Sequence, residues 1–146
     1  MKPTSSPSLT VFSLVILAAG SLALAQIPRT PSPAGAKVYF IQPKDGATVK
    51  GPVDVVMGLS GMGIAPAGID APETGHHHVL IDVDKLNTDA AVPADARHRH
   101  FGRGQTETRL ELAPGTHTLQ LVLGDRNHVP HNPPVMSPKI TITVAQ

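Results

Sequence analysis

The sequence predicts an all-β protein, a single immunoglobulin-like antiparallel β-sandwich that follows a cleaved signal peptide. Short segments rich in β-branched and aliphatic residues alternate with turns, and no segment shows a sustained helical period. The 15 prolines and 13 glycines divide the chain into many short elements. Its 146 residues are enough for one domain, with little room for a second.

The first 25 residues are predicted to be a secretory signal peptide. Lys2 precedes an apolar run that ends in the small-residue cleavage pattern Ala-Leu-Ala at 23–25. A membrane anchor is the alternative, although two serines and a glycine interrupt the run. We therefore expect a periplasmic or secreted protein whose mature chain begins at Gln26 and has no membrane contact after cleavage.

Three proline residues in the segment 26–36 predict a flexible linker, and the sandwich domain is predicted to span 37–146. Six strands are expected in it, at 37–42, 53–59, 76–83, 105–112, 116–123 and 139–144. Residues 84–104 are predicted to be irregular, with a short helical turn or an edge strand. Alternation within the strands predicts eight inward-facing side chains: Val55, Val79, Ile81, Leu110, Leu119, Leu121, Ile140 and Ile142.

Composition excludes several classes of function. The chain has no cysteine, so it has no disulfide, no thiolate ligand or nucleophile and no cysteine-linked lipid. One of its 12 basic residues, Lys2, lies in the predicted signal peptide, and the other 11 balance the 11 acidic residues. No basic excess is left to bind a nucleic-acid backbone.

Histidine is the unusual component of the predicted mature chain. All eight histidines lie there: His76, His77, His78, His98, His100, His117, His128 and His131. In an immunoglobulin-like sandwich, strand 76–83 begins at the end where strand 105–112 begins and strand 116–123 finishes. We therefore predict that seven histidines gather at one pole and that only His117 lies at the other.

The spacing of these histidines predicts a metal site. Residues at i and i+2 of a strand share one face about 6–7 Å apart, and imidazole nitrogen is a common ligand of zinc and copper. Met62 and Met136 lie in neighbouring loops, and a thioether beside imidazoles favours copper. We predict one copper or zinc ion bound by three or four members of a set of six: His76, His78, His98, His100, His128 and His131.

Structural interpretations are open for several of these residues. His77 and His117 share the parity of the apolar residues in their strands, which predicts a role in the core for both. His98 and His100 are flanked by arginines, and a solvated polar loop is the alternative there. The two methionines could simply fill gaps between apolar side chains.

Four segments resemble an uncharacterised family of exported bacterial domains. They read GHHHVLID at 75–82, PADARHRHFGRGQTET at 93–108, PGTHTLQLVLGD at 114–125 and NHVPH at 127–131. The family that they resemble is the domain of unknown function DUF4399, over residues 70–144. The resemblance implies a bacterial extracytoplasmic protein and implies no activity.

These observations predict an extracytoplasmic, histidine-rich metal-binding module that is not an enzyme. The serines lack triad-like surroundings, and a mature chain starting at Gln26 has no N-terminal histidine to bind copper. The alternative is a structural or interaction module that contacts a protein or glycan through the same loops, and a periplasmic protein is a second potential partner. Imidazoles that converge within about 4–5 Å would favour the metal site.

Overall fold

The computed structural model describes residues 28–146, so the predicted signal peptide and Gln26 lie outside the described residues. Within this range no helix is found, and hence none that is long and apolar enough to cross a membrane. The described residues form nine strands: β1 (Lys37–Gln42), β2 (Thr48–Lys50), β3 (Val53–Ser60), β4 (Gly63–Ile64), β5 (Thr74–Ile81), β6 (His98–His100), β7 (Glu107–Leu110), β8 (Gly115–Gly124) and β9 (Ile140–Ala145).

The strands form two sheets. The smaller sheet has the order β1-β3-β7, and the larger has the order β2-β9-β8-β5-β4, with β6 pairing on β5. Neighbouring strands are antiparallel except in the short pairs β2–β9 and β4–β5. The predicted all-β, antiparallel class is therefore confirmed, whereas the immunoglobulin-like connectivity stays a prediction.

The main core lies between the two sheets. Val38, Val53 and Met57 of the smaller sheet join Leu123 and Val144 of the larger sheet in one buried cluster. All eight side chains predicted to face inward belong to this cluster, because the alternation of each strand turns its apolar residues to one side. The two sheets therefore pack face to face as a sandwich.

A second apolar cluster covers the opposite face of the larger sheet. Leu80 of β5 and Val122 of β8 pack there against Val83, Leu86 and Val92, which belong to the chain between β5 and β6. Strand β5 is consequently covered on both sides, and seven of its eight residues are buried. A strand buried on both faces loses the alternation of apolar and polar residues that marks a half-exposed strand.

Three short strands, β2, β4 and β6, were not among the six predicted, although an edge strand was one of two possibilities for the segment that holds β6. The histidine-bearing strand β5 begins and ends two residues earlier than predicted. Asp82, which follows it, has a φ of 54° and so leaves the extended conformation. The other predicted strands match β1, β3, β7, β8 and β9 to within about two residues at each end.

Residues 29–32, in the segment predicted to be a flexible linker, contact the sandwich domain. Pro31 forms a parallel bridge with Asn132, and the Thr30 hydroxyl donates a hydrogen bond of 2.7 Å to Asp125. These contacts attach the segment to the loop between β8 and β9. Its proline content suggested a free linker, but its polar groups have partners in that loop.

Leu121 offers a test of the core, because it lies at the centre of β8 and is 0% exposed. We expect Leu121→Ala to lower the free energy of unfolding by about 2–5 kcal/mol, since the truncation leaves a cavity that the sandwich cannot close. Denaturant unfolding measures the change. Ile69→Ala is the control, because Ile69 is 52% exposed and should change stability by less than about 0.5 kcal/mol. Equal effects of the two substitutions would contradict this packing.

Candidate metal centre

Two of the predicted ligands come from β5. His76 and His78 point to the same face of the larger sheet, the face opposite the main core, and are 0% and 1% exposed. Gly124 pairs with His76 across the β5–β8 ladder. A Cβ added to Gly124 would lie 3.3 Å from the His78 ring, so the glycine leaves room for that imidazole.

A third imidazole comes from β6. His100 is the direct antiparallel partner of His78, which places the two side chains on the same face of the sheet. The ring of His100 lies against Gly102, where an added Cβ would be 2.3 Å from ring atom Cε1 and 2.4 Å from Nε2. Only glycine therefore fits at position 102 while His100 keeps this orientation.

The fourth imidazole, His128, lies in the turn after β8. Asp125, which is 2% exposed, organises this turn: its Oδ1 accepts hydrogen bonds from the backbone N–H of Asn127 and Val129, and its carbonyl accepts one from His128. His128 itself has a φ of 66°, a left-handed conformation that few residues other than glycine adopt. The contacts of the turn therefore hold His128 in an uncommon backbone conformation.

The four rings converge. One nitrogen from each of His76, His78, His100 and His128 lies within 4.8 Å of the others. The His76 Nε2 atom is 3.1 Å from His78 Nε2 and 3.2 Å from His128 Nδ1. Two imidazole nitrogens bound tetrahedrally to one zinc ion lie about 3.3 Å apart, because each metal–nitrogen bond is about 2.05 Å long. The closest spacings thus match a shared ion, and the widest must shorten by up to about 1.5 Å.

Hydrogen bonding alone does not account for this arrangement. The Nε2 atom of a neutral His76 carries either one proton or one lone pair in the ring plane, yet it faces two ring nitrogens. The buried Nδ1 atoms of His76 and His78 have no hydrogen-bond partner within residues 28–146. A cation that accepts the Nε2 lone pairs would fix both tautomers with the proton on Nδ1.

Burial keeps these rings uncharged. Burial first, and then the neighbouring imidazoles, lower the pKa of His76 to about 4 and that of His78 to about 3. Burial, followed by the proximity of His128, also lowers the pKa of His100. The carboxylate of Asp125 acts in the opposite direction on His76. Neutral imidazole is the form that binds a metal ion.

The structure does not bring His98 and His131 into this group. His98 pairs with Leu80, two residues farther along β5, and its Nδ1 atom is 2.8 Å from the Asp95 carboxylate. The His131 ring lies beside Gly75, on the opposite face of β5, with its nitrogens 3.3 Å and 3.2 Å from the carbonyl oxygens of Leu123 and Thr74. The four converging rings therefore lie over the outer face of the larger sheet, three of them on strands β5 and β6 and only His128 on a loop.

The remaining two histidines and the two methionines lie outside the cluster, in buried, apolar or hydrogen-bonded positions. His77 is fully buried on the core face of β5 with neither ring nitrogen bonded within residues 28–146, and burial lowers its pKa to about 4. Met62 packs against the main core and Met136 against the second apolar cluster. His117 is bonded to Asp82 and to the carbonyl of Ala113, at 2.8 and 2.9 Å.

Three residues that carry no imidazole also shape the site: Gly102, Gly124 and Asp125. Sequence reasoning did not identify them as part of it. A glycine two residues after His100 is a weak signal, because the sequence has many glycines in turns. The sequence Asp-Arg-Asn-His is compatible with a turn closed by the aspartate side chain, which is a local signal for Asp125. The turn reaches the histidines of β5 only because β5 pairs with β8.

The resemblance seen in the sequence is confirmed by a comparison with protein families. The domain of unknown function DUF4399 matches residues 55–145, which include all four converging histidines. The chain belongs to this family. No curated protein and no solved structure matches the chain. Membership in DUF4399 thus supplies no activity, and a function must be inferred from the geometry of the residues.

His117 provides a pH-dependent test at the other end of the larger sheet. Its hydrogen bond to Asp82 raises the pKa of His117 above 6.5, so the protonated ring stabilises the fold below that pH. This contribution is lost as the pH rises through the raised pKa. We therefore expect His117→Gln to destabilise the protein more at about pH 5.5 than at about pH 9 in denaturant unfolding.

Asp82→Asn is the matched variant, since it removes the carboxylate that holds the protonated ring. It should reproduce the pH dependence of His117→Gln, and comparison with wild type at each pH cancels the titration of the other histidines. A pH-independent effect of both variants would contradict the assignment of this pair.

Proposed function

We propose that the domain binds one divalent copper or zinc ion through His76, His78, His100 and His128, as an exported, non-catalytic metal-binding module. The observation that carries the proposal is the convergence of four imidazole nitrogens within 4.8 Å. Side chains that contacted a partner through solvent-exposed loops would have no reason to converge in this way. Two of the four are also buried at 1% exposure or less.

The donor set supports a borderline transition metal. Four nitrogens without a carboxylate or carbonyl ligand suit zinc and copper and are unsuited to calcium or magnesium, which prefer oxygen. The buried carboxylate of Asp125 is close enough to favour positive charge on His76, which also supports a cation at this position. Both methionines pack into apolar clusters, so neither thioether favours copper over zinc at this position.

The cellular setting is proposed from the sequence. The apolar run before 23–25 and the cleavage pattern there support export to the periplasm or beyond. A cysteine-free imidazole site suits an oxidising compartment, because it contains no thiol that oxidation would remove as a ligand. A non-catalytic role is consistent with ligation by four side chains, since a tetrahedral ion with four protein ligands has no open position.

Calorimetric titration of Zn(II) and Cu(II) tests the proposal directly. Protein purified without a histidine tag should bind one ion per chain, and His76→Ala/His78→Ala should abolish binding because it removes the two buried ligands. His98→Ala and His117→Ala should bind like wild type, because both rings lie outside the cluster and are hydrogen-bonded to carboxylates.

Two results would contradict the proposal. One is a wild-type affinity no tighter than about 100 μM, which corresponds to roughly −5.5 kcal/mol. The other is equal binding by all variants, which would place any ion elsewhere. In either case the interaction-module alternative, with the same loops contacting a protein or glycan, becomes the better interpretation.

Gly102 allows the His100 ring to be displaced while all the histidines remain. Gly102→Ala places a methyl group where the His100 ring lies, and we expect zinc affinity to fall by about tenfold or more as that ring moves away. Gly63→Ala is the matched control, because its added Cβ would meet only a Thr74 methyl at 3.4 Å. Wild-type affinity in Gly102→Ala would show that His100 does not bind the ion.

A further inference from the structure

Residues 29–32, which we call the N-terminal strap, lie along the loop between β8 and β9. The Ser32 N–H donates to the Asn132 carbonyl at 3.1 Å, and the Asn132 N–H donates to the Thr30 carbonyl at 2.9 Å. The Ser32 hydroxyl adds a bond of 2.7 Å to the carbonyl of Pro133. The strap is thus held to the loop by backbone and side-chain hydrogen bonds, as a short added strand would be.

Arg29 connects the strap to two loops at once. Its guanidinium donates to the carbonyls of Pro130, at 3.1 Å, and His131, and it forms an ion pair of 3.0 Å with Asp89. Asp89 belongs to the chain between β5 and β6, where the N–H of Val92 donates to the His128 carbonyl at 2.9 Å. Arg29 therefore connects the two segments next to His128: the chain that follows it in the loop between β8 and β9, and the chain between β5 and β6 that is hydrogen-bonded to its carbonyl.

Thr30 reaches the centre of the turn that carries His128. Its hydroxyl donates to Asp125 Oδ2 at 2.7 Å, while Oδ1 of the same carboxylate binds the N–H groups of Asn127 and Val129. Hydrogen bonds to a buried carboxylate are stronger than those between neutral groups, and their loss is correspondingly costly. Thr30 thus helps to fix the side chain that shapes the turn.

His128 needs such support, because its left-handed backbone conformation persists only where the surrounding contacts maintain it. We propose that the N-terminal strap is a positioning element of the metal centre, which holds His128 toward His76 so that strap docking and metal binding stabilise each other. This inference rests on the proposed function. Because linkage is reciprocal, the factor by which the docked strap raises the affinity equals the factor by which the ion stabilises docking.

Substitutions in the strap test the coupling without altering a ligand. Arg29→Gln/Thr30→Val should weaken zinc binding about tenfold or more, and Thr30→Val alone should have a smaller effect. The conservative variant Thr30→Ser keeps the hydroxyl and should bind zinc with wild-type affinity. Arg109→Gln is the remote control, since it removes an ion pair of 2.7 Å with Asp54 on the smaller sheet.

Cobalt(II) gives a readout that a general loss of stability would not change. The visible spectrum of bound Co(II) reports coordination number and ligand set. In Arg29→Gln/Thr30→Val it should move toward the spectrum of His128→Ala, because both changes withdraw the same imidazole. In Arg109→Gln it should match wild type.

Hydrogen exchange in the wild-type protein completes the test and needs no variant. Saturating zinc should slow exchange of the Ser32 and Asn132 amides, which form the hydrogen bonds of the strap. Unchanged exchange at both amides overturns the inference, as does zinc affinity within twofold of wild type in Arg29→Gln/Thr30→Val. In those cases the metal centre itself stands. If wild-type protein does not bind zinc or copper, the proposed function fails and the inference fails with it.

Discussion

The burial of β5 on both faces is the constraint on which the site depends. Val79 and Ile81 pack into the main core, while Leu80 packs into the second apolar cluster on the other side. The three consecutive histidines of the strand must share these surroundings and are excluded from water. Desolvation makes the charged imidazole unfavourable, so the rings are neutral, and their nitrogens have few partners. A cation shared with His100 and His128 would satisfy the Nε2 atoms of the two outer-face rings.

The sequence was informative where a strand has one solvent-exposed face and one buried face, as β9 and the first part of β8 have. β8 and β9 alternate clearly, so their bounds and the inward orientation of Leu119, Leu121, Ile140 and Ile142 could be predicted. β5 has no solvent-exposed face, so the alternation of apolar and polar residues could not define where the strand begins and ends. The short strands β2, β4 and β6 carry too few residues for any period to be recognised.

The candidate site was predictable to the level of segments rather than residues. The i, i+2 spacing predicts that His76 and His78 share a face and that His98 and His100 share a face. It does not predict whether His98 or His100 lies beside the first pair. The register decides this, since His100 pairs with His78 whereas His98 pairs with Leu80. His131 is separated from His128 by two residues, and the loop path takes it to the other face of β5. Register and loop path are tertiary properties that local sequence does not encode.

The four converging histidines differ in exposure, which would give them different parts in binding an ion. His76 and His78 are inaccessible and held by the sheet, His128 is half-buried in a turn, and His100 is exposed on a strand of three residues. An ion held by all four would therefore meet solvent on the side of His100 and His128, and these two rings would have to be ordered around a pair that is already fixed. Ordering a side chain on binding costs free energy that a preorganised ligand does not lose. The groups that hold the outer rings are Gly102 beside His100, and Asp125 with the N-terminal strap around His128. Affinity should thus be tuned by these supporting residues, while the histidines of β5 determine whether a site exists at all.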